Sequence, residues 1–245
     1  MSGRRSPVAP ACVMSAIAAL LIAPAAAQAH PPQMLPVIPG LGEVAATYLR
    51  LGIEHIATGI DHLAFVLGLV LLAPAWRKVW KSITAFTAAH SLTLALATLG
   101  TVRLPPPPVE AAIALSIVFV AREAWLVAEG RPGATAARPW PVAFAFGLLH
   151  GLGFAGALAE VGLPVHAVPL ALLTFNLGVE IGQLAFVAVV LAAARPLSRA
   201  LTRLLSRVRL RVASSDRPWP RLLPPYAIGT LATFWTLERL AAFWS

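Results

Sequence analysis

Sulfur and charge are both scarce in this chain. Its 245 residues include one cysteine, Cys12. Cys12 lies in a segment that reads as a cleavable leader, so the mature chain is expected to have no thiol. That excludes disulfides and thiolate metal centres, and leaves His, Asp, Glu, Asn and Gln as the available metal ligands. Charged residues make up only 12% of the chain, about half of the roughly 25% found in soluble domains. Hydrophobic residues reach 58%, with a mean hydropathy of +0.78. That is the composition of an integral membrane protein. Acidic residues are the rarer charge, 10 against 19 basic, for a net charge of +9. The arginines are concentrated in one stretch and are not interleaved with aromatics, which removes support for a nucleic-acid surface. No G-x-x-x-x-G-K-[ST] loop is present to cradle a nucleotide, so no pumping engine is visible.

The first 29 residues read as a secretory signal. Arg4 and Arg5 form a basic start, MSAIAALLIAPAAA an apolar core, and Ala27-Gln28-Ala29 a small-x-small cleavage site. An uncleaved anchor is the alternative. Cleavage would leave His30 at the new N-terminus, where an amine beside an imidazole is a candidate ligand on an ion's way in. A solvated His before Pro31 and Pro32 is the plainer reading. Residues 30–245 then form one transmembrane domain. Six apolar segments, 51–73, 80–100, 109–128, 141–161, 167–194 and 224–244, approach the roughly 20 residues that a crossing helix needs. The expected fold is therefore all-α, a polytopic membrane helix bundle of about six spans.

Loop charge sets the expected orientation. The connection after the first segment has Arg77, Lys78 and Lys81, and the one after the third has Arg131 and Arg138. The stretch 195–222 carries Arg195, Arg199, Arg203, Arg207, Arg209, Arg211, Arg217 and Arg221. Of the alternate loops, one holds Arg103 and the other no basic residue. The positive-inside rule puts the three basic connections in the cytoplasm and both mature termini in the periplasm of an inner membrane. The arginine-rich stretch is expected to lie against anionic lipid, with a docking surface for a partner as the alternative.

Ionisable groups inside such segments are costly, about 2.5–3.5 kcal/mol for a charge at mid-helix. The first segment carries Glu54, His55, Asp61 and His62 at one end. On a continuous helix, a spacing of seven stacks Glu54 on Asp61 and His55 on His62, in adjacent stripes. The second segment puts Thr84, Thr87, His90 and Ser91 on one face. The fourth holds His150 among Gly147, Gly151, Gly153 and Gly156; the glycines read as close-packing sites and His150 as functional. In the fifth, Asn176, Glu180 and Gln183 share a stripe. That stripe suits ion coordination or proton relay, and equally an interhelical hydrogen-bond network. The candidate metal ligands are thus His55, Asp61, His62, His90, His150 and Glu180, with Glu54, Asn176, Gln183, Ser91 and Thr87 as supporting or pathway groups. The set is too rich in nitrogen for calcium or magnesium and lacks sulfur for monovalent copper, so nickel, cobalt or zinc fit best. Glu238 and Arg239 receive no role from the sequence.

His55 to His62, HIATGIDH, matches the His-x-x-x-x-x-Asp-His signature of the HupE/UreJ membrane proteins. The resemblance continues in order through TAFTAAHSLTLALATLG, EAAIALSIVFVA, FGLLHGLGFAGAL and FNLGVEIGQLA, and is closest to the second HupE/UreJ subgroup. It implies a secondary permease or diffusion facilitator for nickel or cobalt in the bacterial inner membrane, with a cleaved signal. It also implies association with the maturation of hydrogenase or urease. The metal would be the substrate and not a prosthetic group, and no enzymatic activity is expected. The signature carries over onto His55, Asp61 and His62 unchanged. A second family signature, Phe-His-Gly-x-Ala-His-Gly-x-Glu, survives only as Gly147, His150 and Gly151. Phe146 stands in place of its first His and Gly153 in place of its Glu, with Glu180 and His90 as candidates to replace them. Two alternatives stay open: a metal-dependent membrane enzyme on the same His/Asp/Glu set, and a metalloenzyme-assembly protein.

Overall fold

The computed structural model of the protein describes residues 40–243, apart from 74, 162 and 208–218, and every regular element among them is α-helical. In chain order these are α1 (Leu41–Thr58), α2 (Ile60–Leu72), α3 (Trp76–Thr98), α4 (Pro106–Ala128), the single turn α5 (Ala134–Ala137), α6 (Trp140–Val161), α7 (Val168–Arg207) and α8 (Trp219–Ala241). All six apolar segments of the sequence fall on helices. By length and composition, α4 and the Val168–Ala194 part of α7 can cross a membrane, and the bent pair α1–α2 makes a third candidate. The signal segment and His30 lie outside the described residues.

Local chemistry explains the breaks. Pro106 to Pro108 open α4, where a missing N–H costs nothing because the first turn has no intrahelical acceptor for it. After α3 and α4 the chain stops on Gly100 (φ +73°) and Gly130 (φ +77°), left-handed positions that only glycine takes without strain. In both, the next N–H reaches five residues back: Thr101 to the Leu96 carbonyl at 3.0 Å and Arg131 to the Leu126 carbonyl at 2.9 Å.

The first span departs from the sequence expectation. It begins ten residues earlier than the predicted 51, and its axis turns by 72° between α1 and α2. Gly59 sits at the turn with φ −79° and ψ 88°. A Cβ there would come within 2.7 Å of the His55 carbonyl and 3.1 Å of His62 Nδ1. The hydrogen-bond ladder survives the bend: Gly59 N–H donates to His55 O at 2.9 Å and Leu63 N–H to Gly59 O at 3.0 Å. The straight stripe of Glu54 over Asp61 therefore does not exist, because residues before and after Gly59 belong to differently directed helices.

The largest helix–helix interfaces join α3 to α6, α1 to α7 and α4 to α8, with α2 against α4. Two of them are seams of glycine. Gly147 and Gly151 of α6 face the Phe86 and His90 carbonyls of α3, and Gly178 of α7 faces Leu49 and Gly52 of α1. Association in lipid depends on such van der Waals closeness, because apolar surface gains nothing by leaving hydrocarbon. Phe65, Leu69, Leu72, Phe86, Ile117 and Val120 fill the interior. Leu92, Leu115, Leu173, Leu177, Val189, Phe234 and Leu237 face outward, as lipid contact requires.

Trp76, Trp80 and Trp140 are exposed at one end of the bundle, and Lys81 Nζ lies 5.2 Å from the Trp140 ring centroid. Aromatic residues beside lysines are the ordinary marking of a membrane interface. Helix α7 runs 40 residues, past its predicted end at 194 and through the first part of the stretch expected to be a basic loop.

Candidate metal centre

Four helices each place one imidazole in the same interior space. His55 is in the last turn of α1 and His62 in the first turn of α2, and the bend at Gly59 folds them edge to face with ring centroids 4.6 Å apart. His90 of α3 lies 6.3 Å from His55 and 6.1 Å from His62, and His150 of α6 lies 4.9 Å from His62. His62, His90 and His150 are 7%, 0% and 1% exposed, so their rings are buried within the bundle.

One ring nitrogen from each of His55, His62 and His90 falls within 4.8 Å of the other two. A single ion at about 2.1 Å from each nitrogen holds tetrahedral ligands about 3.4 Å apart. The imidazoles would therefore have to draw together by up to about 1.4 Å to grip one. Among the described residues, His55 Nε2, His62 Nε2, His90 Nε2 and His150 Nδ1 have no hydrogen-bond partner. An unsatisfied buried polar atom costs about 1–3 kcal/mol, and four in one space call for an occupant.

The hydrogen bonds that do exist fix which nitrogen is free. Asn176 Nδ2 donates to the Leu172 carbonyl at 2.8 Å, which turns its Oδ1 toward His90 Nδ1 at 3.1 Å. Oδ1 accepts only, so His90 carries its proton on Nδ1 and presents the Nε2 lone pair to the cluster. Ser116 Oγ donates to the Ile113 carbonyl at 2.6 Å, so it accepts from His150 Nε2–H at 3.2 Å. His150 therefore offers Nδ1. Outer partners that hold a ligand's second nitrogen are the usual support of metal-binding histidines.

Aromatic rings wall the group. Phe154 is 3.9 Å from the His55 ring centroid, Phe86 is 5.1 Å from His150, and Phe65 is 5.3 Å from His150. A cavity of about 510 Å³ reaches His55, His62 and His150 from the end of the bundle opposite the tryptophans, with Asp61, Glu110, Glu238 and Arg239 in its lining.

The other expected residues lie elsewhere. Asp61 Oδ2 accepts from Arg239 Nη2 at 2.6 Å, so its carboxylate is held in an ion pair at the cavity lining. Glu54 is exposed and accepts from Arg50 Nε at 2.7 Å. Glu180 accepts from Thr84 Oγ1 at 2.6 Å and Gln183 Oε1 from Thr87 Oγ1 at 3.2 Å. With His90–Asn176 these form a ladder between α3 and α7, the hydrogen-bond network that the sequence left as an alternative. Thr84 is six residues from His90, about 9 Å along the helix at 1.5 Å per residue. Ser91 Oγ returns to the Thr87 carbonyl of its own helix at 2.6 Å.

Arg239 and Ser116 gained no role from the sequence. Arg239 had a legible signal: a guanidinium within an apolar segment needs a counter-charge, and Asp61 is the unpaired acid of the first span. A lone serine such as Ser116 carries no such signal.

A family model described as HupE/UreJ protein matches residues 34–239. No curated protein and no solved structure matches the chain.

Proposed function

The chain belongs to the HupE/UreJ family, membrane proteins with accessory or transport-like roles in nickel and cobalt handling, and from that premise we propose that it carries nickel or cobalt ions across the bacterial inner membrane as a secondary permease. The observation that carries this reading is the set of four interior imidazole nitrogens, on four helices, with no other partner. The six apolar segments are read as six spans behind a cleaved signal, with both mature termini periplasmic. The cavity then opens to the periplasm, and the ladder of Asn176, Gln183 and Glu180 leads from His90 toward the cytoplasm.

Each part has a chemical task. The vestibule carboxylates Glu110 and Glu238 raise the local concentration of cations. His55, His62, His90 and His150 replace part of the ion's water shell with nitrogen donors. Binding must stay weak enough for the ion to leave, which neutral imidazoles permit better than a ring of carboxylates. Protonation of an imidazole ejects the metal, because the same lone pair serves both. Beyond transport, delivery of the ion to enzyme-maturation proteins and contact of the arginine-rich stretch with anionic lipid are part of this proposal.

The test is uptake of radioactive nickel and cobalt into proteoliposomes, wild type beside His62→Ala and His90→Ala. Saturable uptake lost in both variants supports the permease and its site. Uptake undiminished in both refutes the site. Absence of uptake, with one metal held tightly per chain, replaces the permease with a resident-metal protein.

A further inference from the structure

Arg239 lies near the end of α8 with about a quarter of its side chain exposed, at the rim of the cavity that leads to the imidazoles. Its two terminal nitrogens do different things. Nη2 grips Asp61 Oδ2 at 2.6 Å and Nη1 donates to the Glu110 backbone carbonyl at 2.9 Å. One guanidinium thereby ties α8 to the first turn of α2 and the second turn of α4. Asp61 is the residue next to His62, whose Nε2 is unpartnered and faces the imidazole group. Asp61 lines the same cavity as His55, His62 and His150, and its carboxylate is occupied by a cation of the protein's own.

The surroundings give that cation a competitor. Among the described residues, the cavity rim carries three carboxylates, Asp61, Glu110 and Glu238, and Arg239 is the one guanidinium or ammonium group in its lining. The cavity floor has the buried, unpartnered nitrogens of His62 and His150. A guanidinium does not deprotonate in proteins, so Arg239 keeps its charge and another cation has to compete with it for the carboxylate.

We propose that Arg239 is a tethered latch: it holds Asp61 until an incoming divalent transition-metal cation displaces it and takes the carboxylate together with the neighbouring imidazoles. The ligand class is a hydrated divalent cation that accepts mixed oxygen and nitrogen donors. Displacement frees the guanidinium from both Asp61 and the Glu110 carbonyl, so α8 loosens from α2 and α4 when, and only when, an ion has arrived. The inference deepens the permease reading and rests on it, since it needs the metal to bind at the imidazoles.

The experiment is equilibrium binding of nickel(II) to the full-length protein in detergent, wild type beside Arg239→Gln, Asp61→Asn, the double variant and His90→Ala. Removing the competing cation is expected to tighten binding about tenfold, the factor that about 1.4 kcal/mol represents. In the Asp61→Asn background the same substitution is expected to change nothing, because the carboxylate under competition is gone. A mere structural brace would not produce that dependence. Arg239→Lys keeps the charge and loses the two-pronged grip, so it is expected to tighten binding about threefold even if Arg239→Gln does not fold. Wild-type binding that depends on His90 and is not tightened by either Arg239 substitution overturns the latch and leaves the imidazole site standing. Nickel binding by none of the proteins overturns the site itself. Binding that becomes measurable only in Arg239→Gln supports both.

Discussion

Asn176 offers the cleanest separation of ligand orientation from helix packing. Its Oδ1 accepts from His90 Nδ1 at 3.1 Å, and both residues are buried, with His90 wholly so. Asn176→Leu keeps the volume and removes the acceptor. His90 Nδ1–H is then left unpaired, a cost of about 1–3 kcal/mol, or the ring turns to find another acceptor and withdraws Nε2 from the cluster. Loss of such an outer partner typically lowers metal affinity about 10–100-fold, which is about 1.4–2.7 kcal/mol. The two routes to the magnitude agree. The assay is nickel titration by calorimetry on the purified protein, with the visible spectrum of the cobalt(II) form reporting ligand geometry. Gln183→Leu is the control, about two turns along α7 and bonded to Thr87 and not to an imidazole. Asn176→Asp retains an acceptor and is expected to hold affinity within about threefold, allowing for the added charge. Equal losses in Asn176→Leu and Gln183→Leu would show that the α3–α7 interface matters as packing, and would refute orientation of His90 as the cause.

Gly59→Ala is expected to reduce nickel affinity at least about tenfold while leaving the protein helical, since overpacking of this kind costs about 1–3 kcal/mol and falls on the contact between His55 and His62; circular dichroism beside titration checks both halves. Glu54→Gln is expected to leave nickel affinity within about twofold, because an exposed pair such as Arg50–Glu54 is worth little; a large loss would return Glu54 to the ligand set. Nickel binding is expected to weaken on acidification, because each proton converts a ligating lone pair into a donor; titration at a series of pH values reads it, and binding that survives full protonation of the imidazoles counts against imidazole ligation. Ser116→Ala is expected to weaken binding less than Asn176→Leu, because His150 lies outside the tightest group of three nitrogens.

Apolar runs and prolines made the helices legible. α4 starts at the proline cluster and α3, α6 and α8 each lie within a few residues of the predicted segments, because lipid leaves the backbone no other means of satisfying itself. The meeting of His55 with His62 was also legible, but for the wrong geometric reason. A spacing of seven stacks residues on a straight helix, whereas here a 72° bend brings them together. The same bend separates Glu54 from Asp61, which the stripe argument had joined. Gly59 stood in the sequence, yet glycine inside an apolar helix is as often a packing site as a break, and only the neighbouring carbonyl and imidazole decide between them. The choice between ligand and ladder for Glu180 was likewise tertiary: nothing in α7 alone says that Thr84 will face it. Arg239 was missed because charge pairs across 178 residues are invisible to periodicity.

The glycine seams have a consequence for ion size. His150 is flanked by Gly147 and Gly151, which pack α6 against α3, and α1 with His55 is drawn onto α7 by Gly52 and Gly178. Imidazoles are short, and they meet because the backbones carrying them are closer than any side chain would allow. The aperture offered to an ion is therefore gauged at a distance, by hydrogens where methyl groups would otherwise stand. Widening either seam by one methyl enlarges the cage without altering a single ligand. At the proposed site, discrimination between ions of different radius would then be written in residues that never touch the ion.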